Sequence, residues 1–171
     1  MAGSASQGSI QFGPVGARKP GHDAVGWGNL LYTMLVAVDG SEHAENAVRY
    51  ALDMARRLGD ARILLVNVQP PAMSGEVSNL VTAEEVVDQH AEAGRQVLAS
   101  ARSLVERTGV AYDTEIVFGR PAEALVECAQ KHGCDAIVLG ASSHGRVRSL
   151  VLGSVASKVA HMAEVPVTVV K

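Results

Sequence analysis

Aromatic residues make up only 4% of this 171-residue chain, tryptophan occurs once, and there are two cysteines. So few thiols exclude a disulfide-stapled miniprotein. A domain of this length buries roughly 68–70% of the surface its unfolded chain exposes and needs no covalent staple. Cys128 and Cys134 fit no Cys-x-x-Cys spacing of a zinc or redox site, so they read as core thiols in a reducing compartment. There is no basic excess either: 15 Lys and Arg stand against 18 Asp and Glu, for a net charge of −3. That balance gives no electrostatic reason to bind nucleic acid. No apolar run reaches the ~18 residues of a membrane span, and the N-terminus lacks the charged-then-apolar layout of a secretory signal. The expectation is a soluble, cytoplasmic protein with no membrane partner.

Several catalytic signatures are missing as well. No lysine follows a Gly-x4-Gly to make a P-loop, and no Gly-x-Gly-x-x-Gly follows the first apolar run. Gly140-Ala-Ser142 begins like a nucleophile elbow, but His144 stands where that motif needs glycine. The six histidines show no His-Glu-x-x-His spacing, so side chains alone are not expected to hold a metal. No catalytic residue is assigned.

Two regions differ in pattern. Residues 1–31 are rich in Gly and Ser without a period of 2 or 3.6, and read as a flexible tail that also contains Trp27. Residues 32–171 read as one domain in which short apolar runs alternate with amphipathic stretches. The strands read along the chain are Met34–Val38, Ile63–Val68, Tyr112–Phe118, Ala136–Leu139 and Val165–Val170. Between them, Ser41 caps a helix that Gly59 stops, and Thr82-Ala-Glu-Glu85 opens a long helix with Gly94 as a soft point inside. Pro121 opens a third helix and Gly153-Ser154 a fourth. Unbroken apolar strands separated by helices imply a parallel sheet covered on both faces. The fold class is therefore α/β, an open doubly wound five-stranded parallel sheet of the flavodoxin-like or Rossmann-like kind.

Ligands of such sheets bind beyond the carboxyl ends of the strands, where the winding reverses. Two loops carry suitable chemistry, Asp39-Gly40-Ser41 and the stretch from Gly140 to Ser154. Gly140 lets the backbone leave its strand with unusual torsions. Gly153-Ser154 opens a helix whose free N–H groups suit phosphate, and Arg146 and Arg148 add positive charge. The alternative is that Gly140 only ends a strand and Gly153-Ser154 only caps a helix.

The chain resembles the universal stress protein (UspA-like) family. The likeness rests on Met-Leu-Val-Ala-Val-Asp-Gly-Ser at 34–41, Ile-Leu-Leu-Val-Asn-Val at 63–68 and Gly-Arg-Pro-Ala-Glu-Ala at 119–124. It continues with Asp-Ala-Ile-Val-Leu-Gly at 135–140, Leu-Gly-Ser-Val-Ala-Ser-Lys-Val at 152–159 and Val-Pro-Val-Thr-Val-Val at 165–170. The nucleotide-binding branch of that family carries Gly-x2-Gly-x9-Gly-Ser/Thr. Gly140, Gly153 and Ser154 match it, while Ser143 replaces the middle glycine. The resemblance implies that Ala37 and Asp39 border adenosine and that the backbone of Val68 lies against adenine. It further implies that Gly140 and Ser143 follow ribose and phosphate, and that Gly153, Ser154 and Val155 hold the phosphates. It implies ATP or another adenine nucleotide as ligand, with Mg²⁺ carried mainly on the phosphates, and a homodimer formed through the C-terminal strand. The function expected is a nucleotide-responsive stress-response module. The alternatives are a structural dimer with an empty pocket, motivated by Ser143, and a slow ATP hydrolase.

Overall fold

The computed structural model describes residues 9–12, 31–71, 83–141 and 153–171. Ten elements follow in chain order: β1 (Ser9–Phe12), β2 (Tyr32–Ala37), α1 (Glu42–Leu58), β3 (Ala61–Gln69), α2 (Ala83–Glu106), β4 (Ala111–Phe118), α3 (Pro121–Lys131), β5 (Ala136–Gly140), α4 (Ser154–Met162) and β6 (Val167–Val170). The sheet runs β1-β4-β3-β2-β5-β6. The five strands β4, β3, β2, β5 and β6 pair in parallel, as the sequence predicts. The last strand begins at Val167 rather than Val165, although the Pro166 carbonyl still accepts from Ile137 N at 2.9 Å.

One strand is additional. Ser9–Phe12 lies antiparallel on the outer edge of β4, Ser9 opposite Val117 and Phe12 opposite Thr114. Residues 1–31 show no long-range period, but Ser-Ile-Gln-Phe alternates polar and apolar over four residues, enough to pair with an open edge. The rest of the expected tail, Trp27 included, lies outside the described residues.

The apolar strands bury alternate residues on opposite faces, as a period of two requires. Met34, Val36, Ile63, Leu65, Ile116 and Val138 meet α1 and α2 on one face. Leu35, Leu64, Val66, Val117, Ile137 and Leu139 meet α3 and α4 on the other. Helix α1 is an amphipathic element with clear ends. Ser41 Oγ accepts from Ala44 N at 3.1 Å, Glu42 and Glu45 lie in the first turn, Arg56 and Arg57 lie in the last, and Gly59 closes it at φ +79°. Helix α2 lies tight against the sheet at Gly94, where a Cβ would stand 2.9 Å from Ile116 Cδ1 and 3.0 Å from Asn67 Oδ1. The glycine expected to be a soft point is thus a point of tight packing. The expected Thr82 cap of α2 lies outside the described residues.

Adjacency of β2 and β5 makes the winding reverse between them, and it is fixed at both ends. At the amino end Asp135 Oδ2 accepts from Thr33 N, and Thr33 O accepts from Asp135 N, each at 2.8 Å. At the carboxyl end β5 lies against α1. A Cβ on Gly140 would stand 2.6 Å from His43 C, 2.7 Å from His43 O and 2.8 Å from Ala44 N.

Candidate functional site

The carboxyl edge at the β2/β5 junction gathers most of the residues expected from the sequence. Ala37 ends β2, and Asp39 follows in a turn whose Gly40 has φ +81°. That left-handed conformation favours glycine. The Asp39 Oδ1 accepts from Ser41 N at 3.0 Å, so the carboxylate shapes the turn that starts α1. Val38 is tied to β3 twice: its N–H donates to Val66 O at 2.8 Å, and its carbonyl accepts from Asn67 Nδ2 at 2.7 Å. Asn67 is only 4% exposed, and its Oδ1 accepts from Gln69 Nε2 at 2.7 Å. This buried amide aligns the loop after β2 with the end of β3, a role that sequence reading missed because Asn67 interrupts an otherwise apolar run.

Ala37 and Val68 are half-buried and pack at the margin of the core under α3 and α4. They occupy neighbouring strand ends, with Ala37 opposite Val66, two positions before Val68. Gly140 ends β5, and the next residue is tied across to β6 by Ala141 N donating to Val170 O at 2.6 Å. Here the reason for the glycine differs from expectation. Gly140 does not have a positive φ; the absent Cβ admits the backbone of α1.

The chain returns at Gly153, which is buried, and Ser154 and Val155, which are exposed. Helix α4 runs back along the sheet, so right-handed β–α–β winding puts its start at the same carboxyl edge. Its N-cap is Gly153 in extended backbone, which has no side chain with which to cap the helix, and its first turn holds no acid. The first intrahelical bond is Ser157 N to Gly153 O at 2.8 Å, leaving the amides before it without intrahelical partners. The contrast with α1 is chemical: α1 is capped by Ser41 and carries two acids in its first turn, whereas the N-cap and first turn of α4 supply neither a capping side chain nor an acid. Ser143, Arg146 and Arg148 lie outside the described residues.

A second polar group sits apart from this edge, on the α3 side of the sheet. Glu115, in the middle of β4, is 1% exposed. Its Oε1 accepts from Lys131 Nζ at 2.9 Å, its Oε2 meets His132 Nε2 at 2.5 Å, and Cys128 Sγ donates to Oε2 at 3.8 Å. Burial raises the carboxyl pKa, but the Lys131 hydrogen bond and the charge and hydrogen bond of His132 outweigh it and hold the group below its ordinary value. Burial first, and then the Glu115 charge, pushes the Cys128 thiol up to about 12, while burial and Asp135 push Cys134 to about 11. Both cysteines are free and buried, as the sequence predicts. Sequence reading missed Glu115, because Asp113, Thr114 and Glu115 form one polar stretch in β4 and nothing in that stretch marks which of the two acids is buried.

No described helix is long and apolar enough to cross a membrane. The universal stress protein family model matches residues 32–171. A universal stress protein from Thermus aquaticus is 37% identical over 145 residues, covering 83% of this chain and all of the relative. Among solved structures, the universal stress protein UspA of Lactobacillus plantarum superposes with a TM-score of 0.68 at 26% identity, over 82% of this chain and 98% of that one. A universal stress protein solved in complex with cAMP superposes with a TM-score of 0.64 at 26% identity, over 82% and 97% of the two chains. The doubly wound sheet and the family match over all five parallel strands lead to one conclusion: this chain belongs to the universal stress protein family.

Proposed function

We propose that this chain binds an adenine nucleotide at the carboxyl edge between β2 and β5 and acts as a nucleotide-responsive stress-response module. One observation carries the reading. Helix α4 opens on a buried glycine, which brings no side chain of its own to the first amides, at the point where the winding of the sheet reverses. Phosphates would rest on the amides of Ser154 and Val155 beside Gly153, and the base and ribose would lie along Ala37, Asp39, Val68 and Gly140, with Ser143 nearer the phosphates. The cAMP complex of a related protein supports a nucleotide as ligand. ATP is the form we assign, with Mg²⁺ held mainly by its phosphate oxygens and water, because Asp39 is the one carboxylate of these loops.

Fast turnover is not part of the proposal. The described edge offers no pair of carboxylates for acid–base work and no lysine on the phosphate path. The free, buried thiols accord with a cytoplasmic setting. Strand β6 pairs on one side with β5, and we assign its outer edge to a second copy of the chain.

Isothermal calorimetry with ATP, AMP and cyclic AMP tests the reading. One site per chain is expected, and a Gly153→Val variant with native circular dichroism should lose it. Silence at millimolar nucleotide would instead select the alternative of an interaction dimer with an empty pocket, for which the Ser143 substitution speaks. Product analysis after long incubation with ATP tests for slow hydrolysis, and sedimentation at micromolar concentration tests the dimer.

A further inference from the structure

The polar group beneath α3 has the composition of a metal centre. Glu115 comes from β4, and Cys128 and His132 come from successive turns at the end of α3. Their ligand atoms, a carboxylate oxygen, a thiol sulfur and an imidazole nitrogen, all lie within 4.8 Å of one another. Spacing rules applied along the sequence do not find this set, because thirteen positions separate Glu115 from Cys128. The i, i+4 relation of Cys128 and His132 places both on one helix face, over the carboxylate.

We infer that Glu115, Cys128 and His132 form a binding site for a borderline-soft divalent transition metal of the zinc class, with a fourth coordination position left for water. The geometry is close to what such an ion needs. Tetrahedral bonds of about 2.0 Å to N and O and about 2.3 Å to S set O to S at about 3.6 Å and O to N at about 3.3 Å. The structure has 3.8 Å between Glu115 Oε2 and Cys128 Sγ, already near that value. The 2.5 Å between Oε2 and His132 Nε2 must open by about 0.8 Å. His132 is a quarter exposed, so its ring has room to swing and an ion has a path inward.

The surroundings supply the rest. Lys131 holds the other carboxylate oxygen at 2.9 Å, which leaves Oε2 as a single, oriented ligand. A mixed S, N, O donor set favours zinc-class ions over Mg²⁺ or Ca²⁺, which take oxygen. Loading releases protons: the ion displaces the hydrogen bonds of His132 and Cys128 to Glu115, the sulfur binds as thiolate with its proton passing to solvent, and His132 gives up the proton on Nε2, to solvent or through water to Nδ1, so that this nitrogen can ligate. The neighbouring carboxylate that disfavours the thiolate in the metal-free protein also attracts a cation.

Chelator-treated full-length chain is titrated with Co²⁺. The expected result is one ion per chain, with visible bands of tetrahedral intensity and a sulfur-to-cobalt charge-transfer band in the near ultraviolet; added Zn²⁺ should displace it. Cys128→Ser should remove the charge-transfer band, and His132→Gln and Glu115→Gln should each weaken affinity at least tenfold, with folding checked by circular dichroism. In the wild-type chain, stoichiometric Zn²⁺ should raise the melting temperature and a chelator should reverse the rise, a readout that does not depend on any variant folding. The proposal is overturned if wild-type chain shows no stoichiometric band, if the band survives Cys128→Ser, or if Zn²⁺ leaves the melting temperature unchanged. Nucleotide binding at the other edge is not needed for any of these results.

Discussion

Replacing Gly140 by alanine separates two explanations for that glycine. If it exists to let a ligand approach, the variant folds normally and only binding suffers. The structure gives a different expectation. The new Cβ would stand 2.6, 2.7 and 2.8 Å from three backbone atoms of His43 and Ala44, well inside ordinary contact. None of these can rotate away, so the first turn of α1 must back off from β5 by roughly 0.8 Å to reach a contact distance of about 3.4 Å. Overpacking of this kind costs about 1–3 kcal/mol, and here the upper half applies because no side chain can yield. Alanine also narrows the unfolded ensemble, which returns about 0.4–1 kcal/mol. The net expectation is a loss of about 2 kcal/mol, read by urea denaturation without nucleotide as a lower midpoint at unchanged slope. Stability within about 0.5 kcal/mol of wild type would refute the packing argument and return Gly140 to the ligand.

Three other perturbations follow from the same contacts. Gly94→Ala should cost less than Gly140→Ala, about 1 kcal/mol by the same denaturation assay, because its Cβ meets side chains rather than backbone and alanine raises helix propensity by about 1 kcal/mol. Asn67→Ala removes the donor to the Val38 carbonyl and the acceptor of Gln69, so about 1–3 kcal/mol of stability should be lost and nucleotide affinity should fall with it, since the loop after β2 loses its tether. The metal-free chain should lose stability as pH rises. Cys128 titrates at 9.0 unfolded and about 12 folded, so its contribution is complete below pH 9 and disappears towards pH 12. At about 1.4 kcal/mol per pKa unit the ceiling is about 4 kcal/mol, and Cys128→Ala should flatten the alkaline limb of the stability profile by a measurable part of it. An identical limb in that variant would count against a buried, protonated thiol.

The parallel sheet was legible because most of its strands are largely apolar runs bounded by a chemically distinct stop, β4 with its Asp113-Thr-Glu115 being the least apolar. Ser41, Gly59, Pro121 and Gly153 announce their helix ends through backbone needs that few other residues meet. Strand β1 was not legible, since four alternating residues gain their order from the open edge of β4, a property of the folded sheet rather than of the segment. Glycines mark the limit of such reading most clearly. A sequence shows that a side chain is absent at 94 and 140 but not what fills the space. In both cases it is filled by the protein itself, by Ile116 and Asn67 under α2 and by the backbone of α1 beside β5.

The same limit applies to chemistry assembled from separate elements. The edge between β2 and β5 could be anticipated because one rule of winding places two loops together, and each loop carries its own signal in Asp39-Gly40-Ser41 or Gly153-Ser154. Glu115, Cys128 and His132 obey no such rule, for their meeting depends on α3 laying one face across the middle of β4. A carboxylate buried in a strand nevertheless requires compensation, because leaving it unpaired costs several kcal/mol. Burial of Glu115 therefore requires a partner, although the sequence alone does not tell which acid of β4 is buried. The structure answers with Lys131 and His132, and it places beside them a sulfur that ion pairing alone does not require.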